Sequence, residues 1–216
     1  MSVLKNTGAL SDFDRQEWWY QQHHLDGDRL VAGVDEVGRG ALFGPVVAAA
    51  VLVPITAIAS LRTLGVKDSK KLSFQQRESL AEHLTQLTTY YISFADVPTI
   101  DQRNIRQASL LAMGRSIAGL PTVPAHLLVD GRDPIPGLTL PQTTVIQGDT
   151  HSALIGAASI LAKVWRDRLI IRLASRFPGY DLANNKGYGT AKHRQGLQKL
   201  GKTPLHRALF CRKILA

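Results

Sequence analysis

The sequence predicts an α/β fold: a mixed five-stranded sheet flanked by helices, with a helical C-terminal extension. Three observations carry this. Short apolar runs recur at residues 30–34, 46–53, 90–97, 126–129 and 143–146. Longer segments with helix start signals separate the later runs. After Asp181 there is no acidic residue at all, yet that stretch carries Lys186, Lys192, Arg194, Lys199, Lys202, Arg207, Arg212 and Lys213.

In chain order, residues 11–24 (SDFDRQEWWYQQHH) read as a short helix with Ser11 at its N-cap, within an extension spanning 1–24. A core over 25–180 opens with the buried strand 30–34. The run 46–53 is β-branched and alanine-rich, and 90–97 alternates, so three strands form an antiparallel meander. Between the last two, residues 74–87 read as a helix capped by Ser73. Residues 100–120 read as one helix. HLLV at 126–129 is a strand ending at Asp130. Three prolines and two glycines make 131–141 a loop, and 143–146 is the fifth strand. Residues 151–177 read as one long helix. Its first half is rich in small residues (Ser152, Ala153, Gly156, Ala157, Ala158), which let a helix lie close to a sheet, and Pro178-Gly179 stops it. Two short helices, at 191–200 and after Pro204, fill a basic C-terminal part, 181–216, packed on the core.

The 216 residues suffice for one domain with a sizeable core. No apolar run reaches the roughly 18 residues that a membrane span needs, and the longest, 46–58, contains Pro54. No signal peptide is legible in residues 1–10. Cys211 is the only cysteine, which argues against a disulfide or a Cys-based zinc site and for a reducing, cytoplasmic setting. A monomer is expected. The net charge of +9 sits almost wholly after Asp181. A one-sided basic field suits a polyanion such as nucleic acid, or else merely aids solubility.

The chemistry concentrates where strands end in acids. The first strand runs into Asp35 and Glu36, HLLV into Asp130, and TTVIQG into Asp149. Adjacent strand residues face opposite sides, so Asp35 and Glu36 share a site only if the strand breaks there, as Gly38 and Gly40 permit. Carboxylates gathered at one sheet edge would repel one another and suit a hard cation, Mg²⁺ or Mn²⁺. Asp149 is open to another role, as N-cap of the following helix. Asp167 competes with it as a fourth acid, but along a continuous helix it would lie about 27 Å away, and it is better matched to Lys163, Arg166 or Arg168.

The glycines Gly38, Gly40 and Gly44 do not make a dinucleotide-binding loop: the spacing is one residue too long, and Pro45 with a β-branched run follows where a helix is required. They suit a tight turn, or a place where backbone approaches a ligand, with Arg39 as a phosphate contact. Gly187 and Gly189 flank Tyr188, which would either present its ring for stacking or pack within a turn. Lys67, Lys70, Lys71 and Lys186 are further phosphate-contact candidates.

These residues resemble the ribonuclease HII family. The likeness runs through DEVGRG (35–40), KDSKKLS (67–73), LVDG (128–131), QGD (147–149), AASILAKVWRD (157–167) and GYGT (187–190). It implies a ribonuclease H-like fold and a metal-dependent endonuclease that hydrolyses the RNA strand of RNA/DNA hybrids. It also implies cutting 5′ of single ribonucleotides in duplex DNA, leaving a 3′-hydroxyl and a 5′-phosphate. It implies Asp35, Glu36, Asp130 and Asp149 as catalytic metal ligands, and Gly38, Arg39 and Gly40 as readers of the 2′-hydroxyl that distinguishes RNA from DNA. Tyr188 would pack on the next, deoxy, sugar. The likeness covers about 30–190 and leaves the role of residues 1–24 open. Two rivals share parts of this pattern. A DNA nuclease of the same general fold would have the acids without needing a 2′-hydroxyl. A non-catalytic nucleic-acid-binding protein would use the basic tail but leaves the acids unexplained.

Overall fold

The computed structural model describes residues 28–66 and 72–215. The helix expected at 11–24 and the candidate contacts Lys67, Lys70 and Lys71 lie outside the described residues. Five strands form one sheet: β1 (Leu30–Val37), β2 (Val46–Pro54), β3 (Thr89–Ala95), β4 (His126–Asp130) and β5 (Gln142–Val145), in the order β3-β2-β1-β4-β5. The first three make the expected antiparallel meander. β4 and β5 run parallel to β1, which completes the mixed sheet. β1 and β2 lie inside the sheet with helices over both faces, so they read as continuous apolar runs. β3 is an edge strand and leaves Tyr90, Tyr91 and Phe94 exposed.

The helices are α1 (Ile58–Thr63), α2 (Phe74–Leu87), α3 (Val97–Arg103), α4 (Ile105–Ala118), α5 (Gly148–His151), α6 (Ala153–Ala174), α7 (Leu182–Asn185), α8 (Ala191–Leu200) and α9 (Ala208–Leu215). One face of the sheet, including Val31, Val47, Ala49 and Leu128, packs on α6, with α1 and α2 completing the layer. The opposite face, including Ala32, Val34, Leu127 and Val129, packs on Ala112, Met113 and Ile117 of α4. A Cβ on Gly33 would come 2.7 Å from the backbone of Leu154, so β1 and α6 are as close as their small residues suggest. A third cluster joins Leu42, Phe43 and Ile170 to Tyr180, Leu182, Leu197 and Cys211, and it seats the C-terminal helices on the far half of α6.

The structure corrects four local expectations. β1 does not break before its acids: Asp35 and Glu36 remain paired with Ala49 and Ala48 of β2, and the chain turns only at Gly38, with φ of 89°. The segment 100–120 is two helices, split at Asn104 (φ of 68°), whose side-chain oxygen caps α4 by accepting from the Gln107 N–H. β3 stops at Ala95, because Asp96 caps α3 and Pro98 enters its first turn. The long helix starts at Ala153 and ends at Ala174, and Ser152 is its N-cap. Asp149 is therefore not that cap; it lies inside the separate turn α5. The cap expected at Ser73 and the bounds expected for 191–200 hold: Ser73 and Gln76 form a reciprocal capping box, and α8 spans Ala191–Leu200.

Candidate metal centre

Asp35, Glu36 and Asp130 come together at the C-terminal ends of β1 and β4. Each offers an oxygen, and the three oxygens lie within 4.8 Å of one another. The sheet explains how neighbours on one strand converge. The β1–β4 ladder ends at Val34 and Val129, while β1 continues along β2 alone. The β1–β4 ladder stops one residue before Asp35, and Asp35 and Glu36 each bring an oxygen near Asp130. No strand break is needed.

Each acid is held. Asp35 accepts from the Glu36 N–H at 2.6 Å, and the Ser159 hydroxyl on α6 acts to lower its pKa. Asp130 accepts from the Gly148 N–H at 2.7 Å, where α5 begins. Glu36 pairs with Arg39 at 2.9 Å. These bonds do not neutralise the group. Burial, then the charges of Asp130 and Glu36, raise the Asp35 carboxyl well above the usual carboxylate range. Burial raises Glu36 too, opposed by the Arg39 guanidinium. Burial raises Asp130, with the Asp149 charge adding to it and the Gly148 N–H opposing. A set of buried carboxylates that resist ionising together, with no Cys or His in the group, fits a hard divalent cation.

Asp149 is buried and near enough to act electrostatically on Asp130, but it is not one of the three acids that share the 4.8 Å group. Asp167 is settled elsewhere: its Oδ1 accepts from Lys163 at 2.9 Å. Arg168 pairs with Glu78 instead.

The glycine-rich segment and the Tyr188 loop, far apart in sequence, lie side by side. Ala41 forms a β-bridge with Tyr188, and the N–H groups of Leu42 and Phe43 both donate to the Gly187 carbonyl. Gly38 and Gly40 do different work. A Cβ on Gly38 would lie 2.2 Å from Nε of Arg166, so the missing side chain leaves room for that guanidinium. A Cβ on Gly40 would meet nothing within 4 Å; that face is open beside the exposed Arg39. Tyr188 is half-buried, with Lys163 Nζ 5.5 Å and Arg166 Cζ 5.4 Å from its ring centre. Lys186 is folded back: its ammonium donates to the Ala183 carbonyl and lies 5.9 Å from the Phe74 ring.

The structure adds residues that the sequence does not mark. Ser159 reads as one more small residue of a helix, yet its hydroxyl acts on Asp35 and opposes the rise in its pKa. Arg207 counts among the tail cations but is fully buried, as is Arg166. His193 and His206 are buried with their Nε2 atoms 3.1 Å apart. Nothing in residue spacing separates a buried cation from a solvated one.

The sequence model of a family described as Ribonuclease HII matches residues 32–213. The chain is 69% identical over 186 residues to ribonuclease HII of Synechocystis sp., covering 86% of this chain and 98% of that one. Among solved structures it resembles the ribonuclease H2 of Pyrococcus horikoshii OT3, with a TM-score of 0.73 and 28% identity over 86% of this chain and 97% of that one. It also resembles a chain of the PCNA:RNase HII complex from Archaeoglobus fulgidus, with a TM-score of 0.72 and 30% identity over 86% and 95% of the two chains. With its mixed sheet, the acids at the sheet's edge and a match along most of its length, the chain belongs to the ribonuclease HII family and is an endoribonuclease of the ribonuclease H class.

Proposed function

We propose that this chain hydrolyses the RNA strand of RNA/DNA hybrids, and that it also cuts 5′ of a single ribonucleotide in duplex DNA, leaving a 3′-hydroxyl and a 5′-phosphate. The observation that carries the reading is the group formed by Asp35, Glu36 and Asp130, only a turn of chain from the open face of Gly40. Asp35, Glu36 and Asp130 would hold Mg²⁺ or Mn²⁺, with Asp149 as a further ligand approaching from the Asp130 side. When bound, the cation supplies Lewis-acid stabilisation of the phosphodiester and lowers the pKa of an attacking water.

The chain's own groups do the rest. Ser159 and the Gly148 N–H keep the carboxylates oriented. The backbone of 38–40 offers hydrogen-bonding groups to a 2′-hydroxyl, the one feature that separates a ribonucleotide from its neighbours. Tyr188 packs on the adjacent sugar. Exposed cations of the tail meet phosphates, so affinity falls with salt. Among the described residues no helix is long and apolar enough to cross a membrane. The protein is proposed to act as a monomer in the cytoplasm.

The test is cleavage of an RNA/DNA hybrid and of a duplex carrying one ribonucleotide, with an all-DNA control, in Mg²⁺, Mn²⁺ and EDTA. Metal-dependent cutting of the first two alone supports the reading. Cutting of the control points to a DNA nuclease instead, and binding without cutting points to a non-catalytic protein.

A further inference from the structure

The structure assigns Arg166 and Arg207 a positioning role: together they set the spacing between the 38–40 segment and Tyr188, and through it the preference for a ribonucleotide. The inference rests on the reading of those two segments given above.

Both side chains are 0% exposed. Arg166 donates from Nε to the Pro45 carbonyl at 3.0 Å, from Nη2 to the Phe43 carbonyl at 3.0 Å and from Nη1 to the Lys186 carbonyl at 2.9 Å. One planar guanidinium thus spans the loop that leaves the glycine-rich segment and the loop that carries Tyr188. Arg207 donates from Nε to the Gly44 carbonyl at 3.0 Å and from Nη1 to the Arg39 carbonyl at 2.8 Å. It grips the reading segment itself, from the start of the last helix. Arg166 also lies against Gly38 and 5.4 Å from the Tyr188 ring centre.

The arrangement is costly as mere packing. Among the described residues neither guanidinium has a carboxylate within ion-pair distance, and Nη2 of Arg207 is buried without a hydrogen-bond partner. Burial and the neighbouring charge of Arg166 push Arg207 down to about 9. Two buried cations with no ion pair, eased only at longer range by Asp167 and Asp101, destabilise a fold that apolar side chains would hold better. What a guanidinium adds is a rigid fork of donors, which fixes several carbonyls at once in a way that neither an apolar side chain nor a lysine reproduces.

The experiment measures KM and kcat on duplex carrying one ribonucleotide, and the inhibition constant of the matching all-DNA duplex. It compares the full-length wild type with Arg166→Lys, Arg207→Lys and Arg207→Met, and follows Mn²⁺ binding by calorimetry. The inference expects KM for the ribonucleotide duplex to rise at least about tenfold, the loss of one hydrogen bond to a charged group, toward an unchanged all-DNA inhibition constant, with Mn²⁺ affinity retained. A merely structural role lowers the active fraction instead: kcat falls while KM and the ratio of the two constants stay put, and that overturns the inference. If Arg207→Met does not fold, the two lysine variants, which keep the charge, decide on the same criterion. A wild type that does not favour the ribonucleotide duplex refutes the functional reading, not the positioning role alone.

Discussion

Nη1 of Arg39 lies 2.9 Å from Oε1 of Glu36, so the exposed arginine of the glycine-rich segment is tied to an acid of the proposed metal centre. Arg39 lowers the Glu36 pKa against the rise that burial causes, and so stands in part where a cation's charge would act. Arg39→Ala should therefore tighten Mn²⁺ binding to the free protein. The pair is partly exposed, so the gain is a few-fold, under about 1 kcal/mol. Calorimetric titration checks this; weaker Mn²⁺ binding by the variant would count against it.

The acids carry their own stability cost. The carboxyls of Asp35, Glu36 and Asp130 are all raised, so the folded state holds protons that the unfolded state releases. In EDTA this contribution favours folding below the usual carboxylate range and is lost as pH rises through the raised values. Asp35→Asn should raise the Tm in EDTA at neutral pH, by on the order of 1 kcal/mol of stability, while abolishing cleavage. Melting curves with and without Mg²⁺ test both halves: the wild type should gain more from Mg²⁺ than the variant does.

The buried histidines give the opposite pH dependence. His193 Nδ1 donates to the Tyr188 carbonyl at 2.9 Å, so its Nε2 accepts from His206 Nε2, while His206 Nδ1 accepts from the Thr203 N–H at 2.9 Å. Only neutral rings satisfy this chain. Burial first, then the neighbouring His193, push His206 down to about 4. Its stabilisation is present above the ordinary value of 6.5 and is lost as pH falls toward 4. The advantage of the wild type over His206→Asn, up to about 3 kcal/mol, should shrink across that window in urea titrations. A constant difference would contradict the assignment of neutral rings.

Gly33→Ala tests the contact between β1 and α6. The added methyl meets the Leu154 backbone at 2.7 Å, so the sheet and helix must part. The variant should lose about 1–3 kcal/mol by chemical denaturation. Because Asp35 and Ser159 sit across the same interface, its cleavage rate should fall as well.

Much of this was legible in the chain. The continuous apolar runs of β1 and β2, Ser73 before α2 and the small residues of α6 each gave a local signal that packing left intact. Asp35, Glu36 and Asp130 were legible because each lies at a strand's end, where a sheet delivers side chains to one edge. The break at Asn104 was not, because a left-handed residue with a capping side chain looks like any polar helix residue. Nor was the continuation of β1 through its acids, since the place where one neighbouring strand stops is a property of the sheet. Arg166 and Arg207 were hidden for the same reason: their carbonyl partners belong to a distant segment.

The most direct test of the central claim is end mapping of a labelled duplex with one internal ribonucleotide, incubated with the wild type in Mg²⁺. The expected products are those of a single cut on the 5′ side of the ribonucleotide: an upstream fragment whose 3′-hydroxyl a polymerase extends, and a downstream fragment that keeps the ribonucleotide behind a 5′-phosphate. A cut on the 3′ side, or equal cutting of the all-DNA duplex, would contradict it.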